Sequence, residues 1–187
     1  MSGNGKTVQV SLVLDRTGSM MDIRRDAIGG YNAYIDELIK SGDDVKFTLT
    51  MFDSQSVDVI HDAVDVGKVP HLTEETYQPR AMTPLYDAIM MAVQRLETQV
   101  GAGDNVIFAV LTDGLENASR KYTLSDVKEC ITGKQNIGWM FAYLGADQDG
   151  VEAQVHRHRG RGLAEVEGVL AEAGIARDGG DVLMPLE

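Results

Sequence analysis

Three near-continuous apolar runs constrain this chain more than anything else in it: Thr7 to Leu14, Val106 to Leu111 and Ile137 to Leu144. They alternate little between apolar and polar residues, so each reads as a strand covered on both faces. Stretches of helical periodicity separate them. Ala27, Ile28, Tyr31, Tyr34, Ile35, Leu38 and Ile39 form one apolar stripe, closed by Ser41-Gly42. Leu85, Ile89, Ala92, Val93, Leu96 and Val100 form another, closed by Gly101 and Gly103. Strand and helix alternating in this way predict an α/β fold, a three-layer, doubly wound, mostly parallel sheet with helices on both faces.

The shorter segments refine that expectation. Val45 to Phe52 and Val57 to Val64 are joined only by Asp53-Ser54-Gln55-Ser56. That link is too short for a crossover helix and predicts one antiparallel edge strand. Residues 67–82 read as loop with at most a short helical turn. Thr83-Pro84 predicts a helix start, with Thr83 as N-cap and Pro84 at the first helical position. Thr123 and Asp126 have capping-box spacing and open a short helix over 123–131. Residues 148–174 predict helix, with Leu163, Val166, Val169, Leu170 and Ala173 as its apolar set and a polar interruption at 156–162. Asp181 to Met184 predicts a last strand. Cys130 and Trp139 read as core residues. The expected organisation is a flexible 1–6 followed by a single domain over 7–187, of which 149–187 is atypical.

Composition excludes some functions. The chain has 187 residues, 43% hydrophobic and 25% charged, enough to bury a core. Its net charge of −12 opposes general affinity for nucleic acid or anionic membrane. With one cysteine, Cys130, no intrachain disulfide forms, and a reducing compartment is indicated. The opening residues do not resemble a signal peptide, and no apolar run reaches membrane-spanning length. The expectation is a soluble, cytoplasmic protein with no nucleic-acid or membrane partner. The basic run His156-Arg157-His158-Arg159-Gly160-Arg161 reads as a solvated loop.

The chemistry concentrates where strands end. The first strand runs into Asp15-Arg16-Thr17-Gly18-Ser19, a carboxylate and two hydroxyls at alternate positions. These side chains offer only oxygen, which a hard divalent cation such as Mg²⁺ selects. Taken alone, the same residues also suit a plain turn. Thr83 at a helix start and Asp113 at the end of a parallel strand add a hydroxyl and a second carboxylate. In an open parallel sheet, ligands bind at the carboxyl ends of the strands, where strand order reverses.

Those residues carry a resemblance to the von Willebrand factor A domain, in its bacterial stand-alone form with an intact metal-ion-dependent adhesion site. That family's site combines a D-x-S-x-S stretch, a distant Thr and a distant Asp. Here they correspond to Asp15-Arg16-Thr17-Gly18-Ser19, to Thr83 within Ala81-Met82-Thr83-Pro84-Leu85, and to Asp113 within Leu111-Thr112-Asp113-Gly114. The resemblance spans roughly residues 7–148. It departs from the family at Thr17, where Ser is commoner, and at Arg80-Ala81, where relatives often carry a glycine.

The resemblance implies a Rossmann-like sheet with one antiparallel edge strand and about six helices. It also implies Mg²⁺, with Mn²⁺ or Ca²⁺ as alternatives, held by Asp15, Thr17, Ser19, Thr83 and Asp113. An acidic residue of a partner protein would complete the cation, and no catalysis is implied. Arg16, Met20, Arg80 and Glu116 are expected at the partner-binding rim. Glu116 is a second candidate for the open position when no partner is bound.

The rival reading is a Mg²⁺-dependent phosphohydrolase of the haloacid dehalogenase type. That pattern needs a second Asp two residues after the first, as acid and base. Here the position holds Thr17, which does not titrate near neutral pH. Gly3-Asn4-Gly5-Lys6-Thr7 superficially matches the end of a phosphate-binding loop but leads into a strand, the wrong context for one.

Overall fold

A computed structural model of the chain describes residues 6–113, 116–147 and 150–155. Strand β1 (Val8–Asp15) lies inside the sheet. It pairs in parallel with β2 (Val45–Phe52) from Val8↔Val45 to Asp15↔Phe52, and with β4 (Asn105–Thr112) from Val8↔Asn105 to Leu14↔Leu111. Strand β5 (Met140–Asp147) extends the parallel set beyond β4. Strand β3 (Val57–Asp65) is the expected antiparallel edge beside β2. The strand order is β3-β2-β1-β4-β5-β6, with β6 spanning Gly150–Val155.

Helix α1 (Arg24–Ser41) covers one face and buries Ala27, Tyr31 and Ile35 against Val10, Leu12, Leu14, Phe47 and Leu49. Gly42 stops it in the left-handed conformation (φ 72°) that glycine adopts without a Cβ clash. Helix α2 (Leu85–Glu97) buries Leu85, Ala88, Ile89, Ala92, Val93 and Leu96 on the opposite face, against Val13, Phe52, Phe108 and Val110. Each fully buried Leu or Ile side chain contributes about 1.5–3 kcal/mol relative to leaving it exposed. Helix α3 (Leu124–Asn136) packs on the same side as α2 and starts with the expected Thr123–Asp126 capping box. Trp139 is buried and stacks on Phe141, as a core residue should. Cys130 is partly buried against the same cluster.

The sheet's order of connection reverses beside β1. The chain leaves β1 through α1 to reach β2 on one side, and returns through α2 to β4 on the other. The carboxyl ends of β1 and β4 therefore open on a crevice, the place where such sheets bind ligands.

Four sequence expectations need correction. Residues 150–155, expected to be helical, form β6 (Gly150–Val155), antiparallel to β5, so the sheet has a second antiparallel edge. Their sequence alternates Val151, Ala153 and Val155 with Glu152 and Gln154, a period of two that is a strand signal. The rest of the expected C-terminal helix, the 156–162 polar segment and the 181–184 strand lie outside the described residues. Ile137 caps α3 and is 69% exposed, and the strand after it begins at Met140. Ile39, at the end of the α1 stripe, is 45% exposed. Thr83 does not cap α2; Pro84 holds the N-cap position and supplies no side-chain bond. Among the described residues, three α-helices are present, and no helix is long and apolar enough to cross a membrane.

Candidate metal centre

Asp15 ends β1 and is fully buried. One carboxylate oxygen accepts from Thr17 N–H at 2.7 Å, and the other accepts from the Thr112 hydroxyl at 2.5 Å. The chain then enters a 3-10 turn over Gly18–Met21. Thr17 Oγ1 and Ser19 Oγ lie 3.4 Å apart, and Ser19 Oγ donates to Asp113 Oδ1 at 3.0 Å. Thr83 Oγ1 donates to Thr17 Oγ1 at 3.1 Å. All five sequence-predicted residues thus meet in one connected hydrogen-bond network, drawn from three separate chain segments.

The alternation at 15, 17 and 19 has a local cause. An extended residue is followed by a tight turn, and Thr17 holds extended backbone (φ −85°, ψ 168°) at the start of that turn. Backbone bonds then fix the neighbouring loop. Arg80 N–H donates to Arg16 O at 2.8 Å, and Gly18 N–H donates to Ala81 O at 3.0 Å. These two contacts seat Thr83 beside Thr17. Ala81 sits at φ 60°, the left-handed region, where a residue with a Cβ is strained and glycine is not.

The electrostatics favour a cation. Burial pushes the Asp15 carboxyl up to about 6 against the pull of its bonds from Thr112 and Thr17, and the charge of Asp113 adds to the rise. Burial also raises Asp113, with Asp22 contributing. Among the described residues, neither carboxylate has a Lys, Arg or His partner, and no cluster of three or more His, Cys, Asp or Glu occurs. Two underneutralised carboxylates among hydroxyls match the oxygen preference of Mg²⁺ and exclude a soft-ligand zinc centre. The residues present fit the ion that the resemblance implies.

The four rim residues fare differently. Arg80 is half exposed, and its Nε donates to Asp53 at 3.0 Å. Arg16 is mostly buried, with its guanidinium bound to Asp53, Asp58 and Ser56. Met20 is not at a rim: it is 0% exposed and belongs to the core beneath α1. The 3-10 turn accounts for this, since it sends consecutive residues to different sides and Ser19 outward while Met20 goes in. Glu116 is committed elsewhere. Its carboxylate accepts from Tyr86 N–H at 3.0 Å, Ala118 N–H at 2.8 Å, and the N–H and hydroxyl of Ser119 at 2.6 Å each. It caps α2 from a distant loop instead of entering the oxygen cluster.

Three supporting residues escape a sequence reading. Thr112 fixes Asp15, and its only signal is adjacency to Asp113. Tyr77 is fully buried, and its hydroxyl donates to the Asp15 backbone carbonyl at 2.5 Å from within the 67–82 segment, read as loop with at most a short helical turn. Asn117 bonds the Thr83 backbone twice.

No protein-family model and no curated protein matches the chain. Solved structures do match. The vWF domain of the type V pili tip protein Mfa5 from Porphyromonas gingivalis is similar at a TM-score of 0.51 and 19% identity, over 65% of this chain and 44% of that one. A structure of three N-terminal domains of Mfa5 gives 0.52 and 19%, over 65% of this chain and 23% of that one. The fold is that of a von Willebrand factor A-type domain. Proximal thread matrix protein 1 from the mussel byssus is also similar, at a TM-score of 0.51 and 14% identity, over 75% of this chain and 36% of that one. This vWA-like chain spans less than half the length of each of these proteins.

Proposed function

We propose that this chain is a cation-dependent protein-interaction module. In this reading Asp15, Thr17, Ser19, Thr83 and Asp113 hold Mg²⁺, with Mn²⁺ or Ca²⁺ as substitutes. Bound there, the ion offers an open coordination position that an Asp or Glu side chain of a partner protein fills. Mg²⁺ keeps several waters and prefers octahedral oxygen, so exchange of one water for a carboxylate suits its chemistry. The observation that carries the reading is the convergence of two buried or half-buried carboxylates and three hydroxyls at the carboxyl ends of β1 and β4. That a pili tip protein has a domain of this fold agrees with it. Arg80, half exposed beside the Thr83 loop, is the rim residue best placed to meet an acidic partner. A reducing, cytoplasmic setting is part of the proposal and rests on the single cysteine.

The phosphohydrolase reading lacks its acid and base. The side chain two positions after Asp15 is the Thr17 hydroxyl, and it is engaged by Thr83. A thermal melt with Mg²⁺ and with EDTA tests the proposal. At one hundred times its Kd, bound Mg²⁺ adds about 2.7 kcal/mol of stability. Asp15→Asn and Thr83→Ala are expected to remove most of that gain, and an unchanged gain in both variants overturns the site. Mg²⁺-dependent turnover of a phosphate ester that is lost in Asp15→Asn decides for the hydrolase instead.

A further inference from the structure

Thr83 reaches Thr17 only if its backbone is held in place, and its own helix does not hold it. It precedes α2, and neither it nor Pro84 caps that helix with a side chain. What fixes it lies in the loop that follows Asp113. Asn117 Oδ1 accepts from Thr83 N–H at 2.9 Å, and Asn117 N–H donates to Thr83 O at 3.1 Å. The two bonds grip the Thr83 peptide from both sides. The neighbours of Asn117 extend the grip. Glu116 accepts from Tyr86 N–H, and Ser119 Oγ accepts from Asp87 N–H at 3.2 Å. In return, the Asp87 carboxylate accepts from the N–H groups of Arg120 and Tyr122 at 2.9 Å each and of Lys121 at 3.1 Å.

We infer that Asn117 is a positioning residue of the cation site, acting through Thr83 by fixing the hydroxyl donor against Thr17. The inference rests on the metal reading above. A bond made only to the far side of a ligand commonly matters to the metal: removing such a partner costs roughly tenfold to a hundredfold in affinity. Asn117 thereby holds the Thr83 peptide in one geometry before any ion arrives. Ordering it beforehand spares the ion that entropic cost on binding.

The test is a double-mutant cycle read as Mn²⁺ affinity, by the loss of the free-ion electron paramagnetic resonance signal, with Mg²⁺ as competitor. Asn117→Ala is expected to weaken Mn²⁺ binding about tenfold in the otherwise unaltered chain. In a Thr83→Ala background the same change is expected to weaken it less than about twofold, because the hydroxyl it positions is already gone. Asn117→Asp keeps the acceptor oxygen and is expected to bind at least as well as the unaltered chain. Circular dichroism in EDTA confirms that each variant is folded. Equal weakening in both backgrounds, no weakening by Asn117→Ala, or weakening by Asn117→Asp to the level of Asn117→Ala overturns the positioning role. An unaltered chain that takes up neither Mn²⁺ nor Mg²⁺ overturns the metal reading itself, and the role of Asn117 with it.

Discussion

The hydroxyl of Thr83 donates to the hydroxyl of Thr17 across 66 positions of sequence, at 3.1 Å and out of contact with solvent. Each hydroxyl is thereby oriented by the other, and both keep oxygen lone pairs for a further bond. This contact makes the chemistry at position 83 separable from its shape. Thr83→Ser retains the oxygen and is expected to hold Mg²⁺ within about threefold of the unaltered chain. Thr83→Val keeps the volume without the oxygen and is expected to lose roughly tenfold, the equivalent of about 1.4 kcal/mol. Isothermal calorimetry with MgCl₂ separates the two, and equal affinities would remove Thr83 from the ligand set.

Acid stability depends on a second cluster, beside the site. Asp53 is fully buried between Arg16 and Arg80. Burial alone would raise its carboxyl, but Arg80, the N–H groups of Gln55 and Ser56, and Arg16 together hold it below the ordinary carboxylate range. Hydrogen bonds from Arg16 and Ser56 hold Asp58 low as well. Groups depressed in the folded state stabilise it above the unfolded carboxylate pKa of about 4, and that stability is lost as pH falls through their folded values. These two residues therefore add no slope between about pH 6 and 8, and they steepen the loss below about pH 4. Arg16→Met is expected to flatten that acid limb and to cost at most about 3 kcal/mol at neutral pH, since Arg80 still faces Asp53. Urea melts at a series of pH values read both effects.

Tyr77 offers a cleaner substitution. Tyr77→Phe deletes one buried hydroxyl bond to the Asp15 carbonyl and nothing else. It is expected to cost about 1–2 kcal/mol in a urea melt, the scale of leaving a buried carbonyl without its partner. A loss below about 0.5 kcal/mol would show that the carbonyl finds another donor.

The left-handed residue Ala81 predicts unequal responses to two substitutions. Ala81→Gly relieves roughly 1 kcal/mol of backbone strain but adds a similar entropy to the unfolded chain, so stability should move by less than about 0.5 kcal/mol. Ala81→Val places a branched side chain at φ 60° and is expected to lose about 1–2 kcal/mol. Gly18→Ala tests the other side of the same contact. Its new Cβ would stand 3.3 Å from Ala81 O, tight enough to push the loop away from the turn and weaken Mg²⁺ binding more than it lowers the melting temperature in EDTA.

The parallel core was legible because β1, β4 and β5 are near-continuously apolar, a pattern expected of strands with two covered faces. The five oxygen-bearing residues that meet at the crevice were legible from their types, their order and their places at strand ends and ahead of a helix. Other features were not, because neighbours in sequence are not always neighbours in direction. Met20 follows a site residue, yet the 3-10 turn rotates it into the core. Glu116 follows a site residue closely and serves α2 instead. Thr83-Pro84 carries a helix-start signal, but the Thr83 hydroxyl has a better partner across the crevice than along its own helix. Tyr77 and Asn117 act through loops, where periodicity holds no information.

Asp15 closes a strand that is hydrogen-bonded to a parallel neighbour on each side. Its position therefore cannot drift without disturbing its own pairing with Phe52 and the Leu14–Leu111 pair that precedes it. The Arg80–Met82 stretch, by contrast, is anchored by isolated backbone bonds and carries three exposed residues, Arg80, Ala81 and Met82. A change in the Arg80–Met82 stretch therefore perturbs a few isolated bonds, whereas one that shifts Asp15 strains a central strand of the sheet. The shape of the crevice rim can thus vary while its floor stays fixed.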